Sequence, residues 1–199
     1  MSNLNYHSNR SNKFHAKRLA TNGVLTAMFF ALTMFAVEIA GIKITFDSLP
    51  VVLSAMLFGP IDAFCVGFLG AFLEQMMNHG FTATTILWIL PPALRGVWIG
   101  LGVIALKKAM SLTYVLDHKR PFVYYLVCIV AAVVTSCGNT LVYYLDSKLY
   151  GYYTYALIFG VFGVRILSGV ICAVLTATLA LPILAALRKA KLTNSVAIQ

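Results

Sequence analysis

The sequence predicts an all-α integral membrane protein, a bundle of six transmembrane helices with both termini in the cytoplasm. Three observations predict it. Of the 199 residues, 60% are hydrophobic and 11% charged, and the mean hydropathy of +0.86 lies far outside the range of a water-soluble domain. The apolar residues fall into six runs separated by polar, glycine and proline breakers, each run near the roughly 20 residues needed to cross about 30 Å of hydrocarbon. The 15 Lys and Arg, which outnumber the 6 Asp and Glu, lie almost wholly between and beyond those runs. That placement makes the charge a topology signal and excludes a nucleic-acid-binding face.

The spans follow in order. The first covers residues 20–41 and the second 48–58, which is short enough to be tilted or partly re-entrant. The tight Gly59-Pro60 turn leads into the third, 61–77. The fourth covers 83–106, the fifth 122–144, and the sixth 155–187 with surplus length at either end. Residues 20–188 thus form one membrane domain, with 1–19 and 189–199 as cytoplasmic tails. The polar start MSNLNYHSNRSNKFHAKR lacks a short apolar region with a small-residue cleavage site, so it reads as a retained tail, and the first span as the targeting signal.

Basic residues orient the bundle. Eleven Lys and Arg fall before residue 20, between 107 and 120, and after 187, whereas the intervening connections hold only Lys43 and Lys148. The richer side is cytoplasmic. The segments near 42–48, 78–82 and 145–154 then face outward in a multi-pass protein of the cell membrane.

Catalytic signatures are missing. There is no phosphate loop, no HExxH and no G-x-S-x-G elbow, so the chain reads as a non-enzyme that draws any energy from partners or gradients. Histidines 7, 15, 79 and 118 are scattered through tails and loops, and no metal or other cofactor is expected. Cys65, Cys128, Cys137 and Cys172 sit in apolar runs without CxxC spacing, as small buried hydrophobes do.

The stretch ILPPALRGVW carries the strongest functional signal. Pro91 and Pro92 remove two backbone donors in mid-span, so the helix is expected to kink there or to restart. Trp88, Arg95 and Trp98 fall on one broad face at about 100° per residue. A guanidinium this deep needs a partner or a wet cavity. Arg165 lies at a similar depth in the sixth span, and Glu38 and Glu74 are the acids nearest to hand. Small-residue pairs add a second pattern: Ala27 with Ala31 and Ala36 with Ala40 in the first span, Gly96 with Gly100 in the fourth. Each permits close helix approach, either inside the bundle or against another membrane subunit.

The stretch LTAMFFALTMFAVEIAGIKITFDSLPVVLSAMLFGPIDAFCVGFLGAFLEQ resembles the first half of the substrate-binding S component of an energy-coupling factor (ECF) transporter. The resemblance rests on the Ala-x-x-x-Ala first helix, an outer loop ending in Leu-Pro, the LFGP turn and a Gly-rich third helix. Later, GNTLVYY and the region of Arg165 resemble the folate family of S components. Glu74 stands where an aspartate is expected. The resemblance implies a vitamin-binding subunit of an ABC uptake transporter, with a pocket near the outer surface closed by loops. Its partners would be a transmembrane coupling subunit, met by Ala27 and Ala31, and two ATPase subunits that hydrolyse ATP.

On that footing the proline-broken helix suits a flat anionic ligand, because indoles offer stacking area and guanidinium grips carboxylate with two parallel bonds. Folate fits. Phe46, Asp47, Asn78, His79, Asn139 and Tyr143, at or near the outer ends, join Glu74, Trp88, Arg95, Trp98 and Arg165 as candidate ligand contacts. Pantothenate and pyridoxine stay open as ligands. So do two other classes: a stand-alone secondary carrier using Glu38 or Glu74 as a proton site, and a membrane scaffold working through its small-residue faces.

Overall fold

A computed structural model describes residues 2–39, 42–110 and 122–189. The elements run α1 (Ser2–Met34), β1 (Val37–Ile39), β2 (Ile42–Ile44), α2 (Ser48–Leu57), α3 (Pro60–His79), α4 (Thr85–Met110), α5 (Phe122–Leu149), a π-helical turn (Ala156–Gly160) and α6 (Phe162–Lys189). Among the described residues, four stretches are long and apolar enough to cross a membrane: α3, α4, α5, and the π-helical turn continued into α6.

The shortest α-helix is the most enclosed. At ten residues, α2 rises about 15 Å, half the hydrocarbon thickness. Its residues from Ser48 to Ala55 are all buried. A helix apolar on every side has no solvent or lipid face to offer, and α2 is accordingly surrounded by α1, α3, α4 and α6. Val51, Val52 and Leu53 from α2 join Phe29, Val66, Ile99 and Val103 in the core.

Two boundaries of the first span differ from expectation. Helix α1 starts at Ser2, so the polar stretch expected as a tail continues the helix. It stops at Met34, and residues expected as its last two turns form an antiparallel ladder in which Glu38 faces Lys43. The alternation V-E-I and I-K-I is a strand pattern, β-branched residues flanking a polar one. Glu38 therefore lies on a hairpin rather than on the Ala27 and Ala31 face of a span. Ala36 is outside the helix, and Ala40 lies outside the described residues.

Close packing of α3 on α4 is set by glycines. A methyl group on Gly96 would come 2.6 Å from the carbonyl oxygen of Ala63, and one on Gly100 would come 2.5 Å from the Cα of Pro60. This small-residue pair is thus internal. The proline pair causes no restart, since α4 is helical through Pro91 and Pro92. Glycines flank the pair: Gly138 of α5 faces the Pro91 ring, and Gly67 of α3 lies where a Cβ would approach the Pro92 carbonyl oxygen to 2.8 Å. Between α2 and α3, Gly59 takes φ +102, a conformation that favours glycine, and Pro60 then opens α3 with its fixed φ.

Helix directions alternate along the chain. Arg18, Phe58, Asp62 and Lys107 consequently gather at one end of the bundle, while the last turns of α1, α3 and α5 meet the first turns of α2, α4 and α6 at the other. All four cysteines are free thiols; Cys128 is buried and Cys172 half-buried, whereas Cys65 and Cys137 are exposed, contrary to the expectation that all are buried.

Candidate functional site

The end of the bundle remote from Arg18 and Lys107 holds a cavity in two chambers. The outer chamber has a volume of about 680 Å³ and the inner about 190 Å³. Thr45, Arg95, Asn139 and Arg165 line both and so form the waist between them.

Arg95 reaches the waist from α4. Its Nη1 donates to Ser48 Oγ and lies 3.6 Å from Asp47 Oδ2, while its Nε is buried without a hydrogen-bond partner among the described residues. Asp47 is further held by Thr45, whose hydroxyl donates to Oδ1 at 2.6 Å. The segment leading from the hairpin into α2 therefore fixes the guanidinium through two consecutive residues. Asp47 is the acid that meets Arg95, and it was expected only as a ligand contact or loop residue.

Arg165 reaches the waist from the first turn of α6. Its guanidinium lies 4.6 Å from the ring centre of Tyr143 and donates to the carbonyls of Ile158 (3.5 Å) and Leu157 (3.4 Å). Those carbonyls belong to the π-helical turn, a geometry that displaces normal helical partners and recurs at functional sites. The cation thus ties the turn before α6 to the cavity wall.

An aromatic wall stands above the waist. Trp88 packs edge-on against Tyr143 with ring centres 5.5 Å apart, and Tyr143 packs in the same way on Tyr152 at 6.4 Å. Asp146 binds this wall together, accepting from Trp88 Nε1 at 3.4 Å and from the Tyr152 hydroxyl. Loss of solvation and the bond to Asp146 push the Tyr152 phenol up to about 12, so it remains a donor at neutral pH. Across the following loop the next tyrosine turns the other way: Tyr153 packs on Tyr144 and meets the Lys148 ammonium 4.2 Å from its ring centre. Gly151, at φ +77, supplies the left-handed turn that starts this alternation.

Most of the sequence candidates gather here. Asp47, Glu74, His79, Trp88, Asn139, Tyr143, Arg95 and Arg165 line the outer chamber. Trp98, Phe46 and Asn78 line neither. Trp98 is 47% exposed on the outside of α4, because ten residues turn it about 80° away from Trp88 and carry it about 15 Å along the axis. The expected pair of bracketing indoles reduces to Trp88. Asn78 is exposed at the end of α3, and Phe46 is half-buried beside the cavity.

Asp146 and Tyr152 were missed because the fifth span was expected to end at residue 144. Helix α5 continues to Leu149, which places Asp146 one turn beyond Tyr143 on the same face. Thr135, Ser136, Ser168 and Thr176, which line the inner chamber, were legible as hydroxyls recurring inside otherwise apolar helices. On α1, Ala27 and Ala31 are exposed in line with Gly23.

Fold and site together define a membrane-embedded binding protein, with a polar chamber enclosed near one end of an apolar helical bundle. Residues 17–184 match the family described as ECF transporter, substrate-specific component, and the chain belongs to that family. Its fold is similar to a solved S component of a bacterial ECF transporter, with a TM-score of 0.62 and 21% identity over 87% of this chain and 98% of that one. It is also 30% identical over 111 residues to a UPF0397 protein of Aster yellows witches'-broom phytoplasma (strain AYWB), a match covering 55% of this chain. The chain spans 57% of the length of that relative. Members of the family work with an energy-coupling module.

Proposed function

We propose that this protein is the vitamin-binding subunit of an ECF-type ABC uptake transporter, and that its ligand is a flat vitamin bearing an anionic group, with folate the first choice. The observation that carries this reading is the pair of guanidinium groups at the waist, one of them with a buried Nε that has no hydrogen-bond partner among the described residues. Two carboxylates of the outer chamber are already engaged, Asp47 by Arg95 and Thr45, Asp146 by Trp88 and Tyr152. A buried donor left unmade costs about 1 to 3 kcal/mol, and a ligand carboxylate would recover that cost. The aromatic wall of Trp88 and Tyr143 offers ring contacts just outside. The outer chamber alone falls within the about 300–1,000 Å³ range of small-molecule sites.

The chain itself is read as non-catalytic. ATP hydrolysis belongs to two partner ATPases, joined through a transmembrane coupling subunit that docks on Ala27 and Ala31. Both termini and the 107–120 segment are read as cytoplasmic, which turns the outer chamber to the exterior. A carrier using Glu38 as an intramembrane proton site is disfavoured, because that residue lies on the hairpin.

Calorimetric titration of the purified chain against folate, pantothenate and pyridoxine tests the ligand. Folate is expected to bind tightest; preferential binding of pyridoxine, which carries no net charge, would refute the anionic reading. For topology, a cysteine at Lys148 should react with an impermeant thiol reagent in intact cells and one at Ser111 should not. Tryptophan at both Ala27 and Ala31 should reduce recovery of the assembled transporter while sparing ligand binding by the solitary chain.

A further inference from the structure

The two chambers differ in charge. Asp47, Glu74 and Asp146 line the outer chamber, whereas the residues lining the inner one include no carboxylate and keep both arginines. Three buried side-chain polar atoms lack a partner among the described residues, and two of them, Arg95 Nε and Thr176 Oγ1, belong to residues of the inner chamber. Thr176 is 1% exposed, on α6 and remote from bulk water. Both residues line this chamber, and neither of these two atoms has an acceptor among the described residues.

The remaining hydroxyls sharpen the assignment. Those of Thr135 and Ser168 donate to the backbone carbonyls of Ala131 and Arg165, so they present lone pairs and not protons. Donors for an anion therefore include Arg95, Arg165, the Asn139 amide, Ser136 and Thr176. The inner chamber, at about 190 Å³ against about 680 Å³ for the outer, is the smaller of the two and has room for a carboxylate and the atoms beside it.

We propose that the inner chamber is the seat of the ligand's carboxylate, so that the ligand lies acid-inward, past the arginine waist, with its ring outside against Tyr143 and Trp88. Thr176 is then a specificity residue, donating to the carboxylate from the far side. The proposal rests on the anionic-ligand reading and extends it by fixing the direction in which the ligand lies. Substrates whose acid is at one end and whose ring is at the other fit; a ring flanked by acids on both sides does not.

The probe is 4-bromobenzoate, compared with uncharged 4-bromobenzamide, titrated against the full chain and against Thr176→Val and Thr176→Ser. The acid is expected to bind at least tenfold tighter than the amide. Thr176→Val should weaken the acid about tenfold, as loss of a hydrogen bond to a charged group does, and leave the amide unchanged, while Thr176→Ser keeps the hydroxyl and the affinity. In crystals, anomalous scattering should place bromine in the outer chamber beside Tyr143. Equal binding of acid and amide, no detectable binding of the acid, unchanged affinity in a Thr176→Val protein of normal melting temperature, or bromine in the inner chamber would each overturn the seat. Folate titrated in parallel separates the two readings. Bromobenzoate seated as described with folate unbound removes folate and keeps the seat; folate bound equally by wild type and Thr176→Val keeps folate and removes the seat.

Discussion

Arg18 and Arg95 each face an aspartate, at opposite ends of the same bundle, and the two pairs are built to different degrees of completion. Arg18 grips Asp62 with two prongs, Nε to Oδ1 at 2.9 Å and Nη2 to Oδ2. Asn22 adds a bond to Oδ1 at 2.6 Å, and Ser54 donates to the Asn22 side-chain carbonyl at 3.2 Å. That network closes on itself and ties α1 to α2 and α3. Arg95 has one hydroxyl acceptor, a carboxylate at 3.6 Å and an unmade Nε bond, all beside an open void. The same pair of residue types is a clasp where its hydrogen bonds are complete and, on the proposed reading, a binding device where they are not. Completion, rather than charge or depth, is what distinguishes the two pairs.

The largest effect expected from breaking this comparison is on stability, at the completed end. Arg18→Ala leaves the Asp62 carboxylate, 11% exposed, with Asn22 as its remaining donor. Breaking a buried pair costs about 3 to 5 kcal/mol, and the 35% exposure of Arg18 points to the lower end, about 3 kcal/mol. Denaturant titration should show this loss while ligand affinity holds. A ligand-binding defect of equal size would mean that the two ends are coupled.

Arg95→Ala should do the converse. Removal of a charge-assisted bond to a ligand carboxylate costs about 1.5 to 3 kcal/mol, or roughly 10 to 150 fold in affinity. Apo stability should change less, since Asp47 keeps its bond from Thr45 and the lost guanidinium was itself incompletely satisfied. Lysine at this position restores charge without the planar fork, so Arg95→Lys should recover only part of the affinity. If Arg95→Ala unfolds the protein and leaves the affinity of the folded fraction intact, Arg95 is a second clasp.

The difference between the two ends also explains what the sequence could and could not reveal. Helices α2 to α5 start within about two residues of where breakers and hydropathy place them, because Gly59-Pro60 and the polar connections act locally. The hairpin was misjudged because Val37 to Ile44 is apolar enough to continue a span, and only its alternation marks it as strand. Arg95 and Arg165 stood out because a charge in an apolar run is costly wherever it lies. Their partners did not: Asp47 reaches Arg95 across 48 positions, and Thr176 shares a chamber with Arg95 across 81. Such pairings follow from how α2, α4 and α6 converge, which no local pattern records. Trp98 failed for the opposite reason. A broad helical face was a sound local inference, but lipid and cavity divide that face between Trp88 and Trp98.

The smallest effect tests whether Asp146 belongs with the clasp or with the binding device. Its carboxylate accepts from Tyr152 on one oxygen and from Trp88 on the other, the latter at a long 3.4 Å. Trp88→Phe keeps an aromatic edge against Tyr143 but deletes the indole N–H. Because the lost bond is long and Tyr152 remains, the cost should be about 0.5 kcal/mol of stability, with ligand affinity changed by no more than roughly twofold. A result of that size places Asp146 with Asp62, as a carboxylate whose needs are met inside the protein and whose task is to hold the aromatic wall upright. A loss of tenfold or more would mean that the indole N–H serves the ligand, and that Asp146 resembles Arg95 in waiting for a partner the protein does not supply.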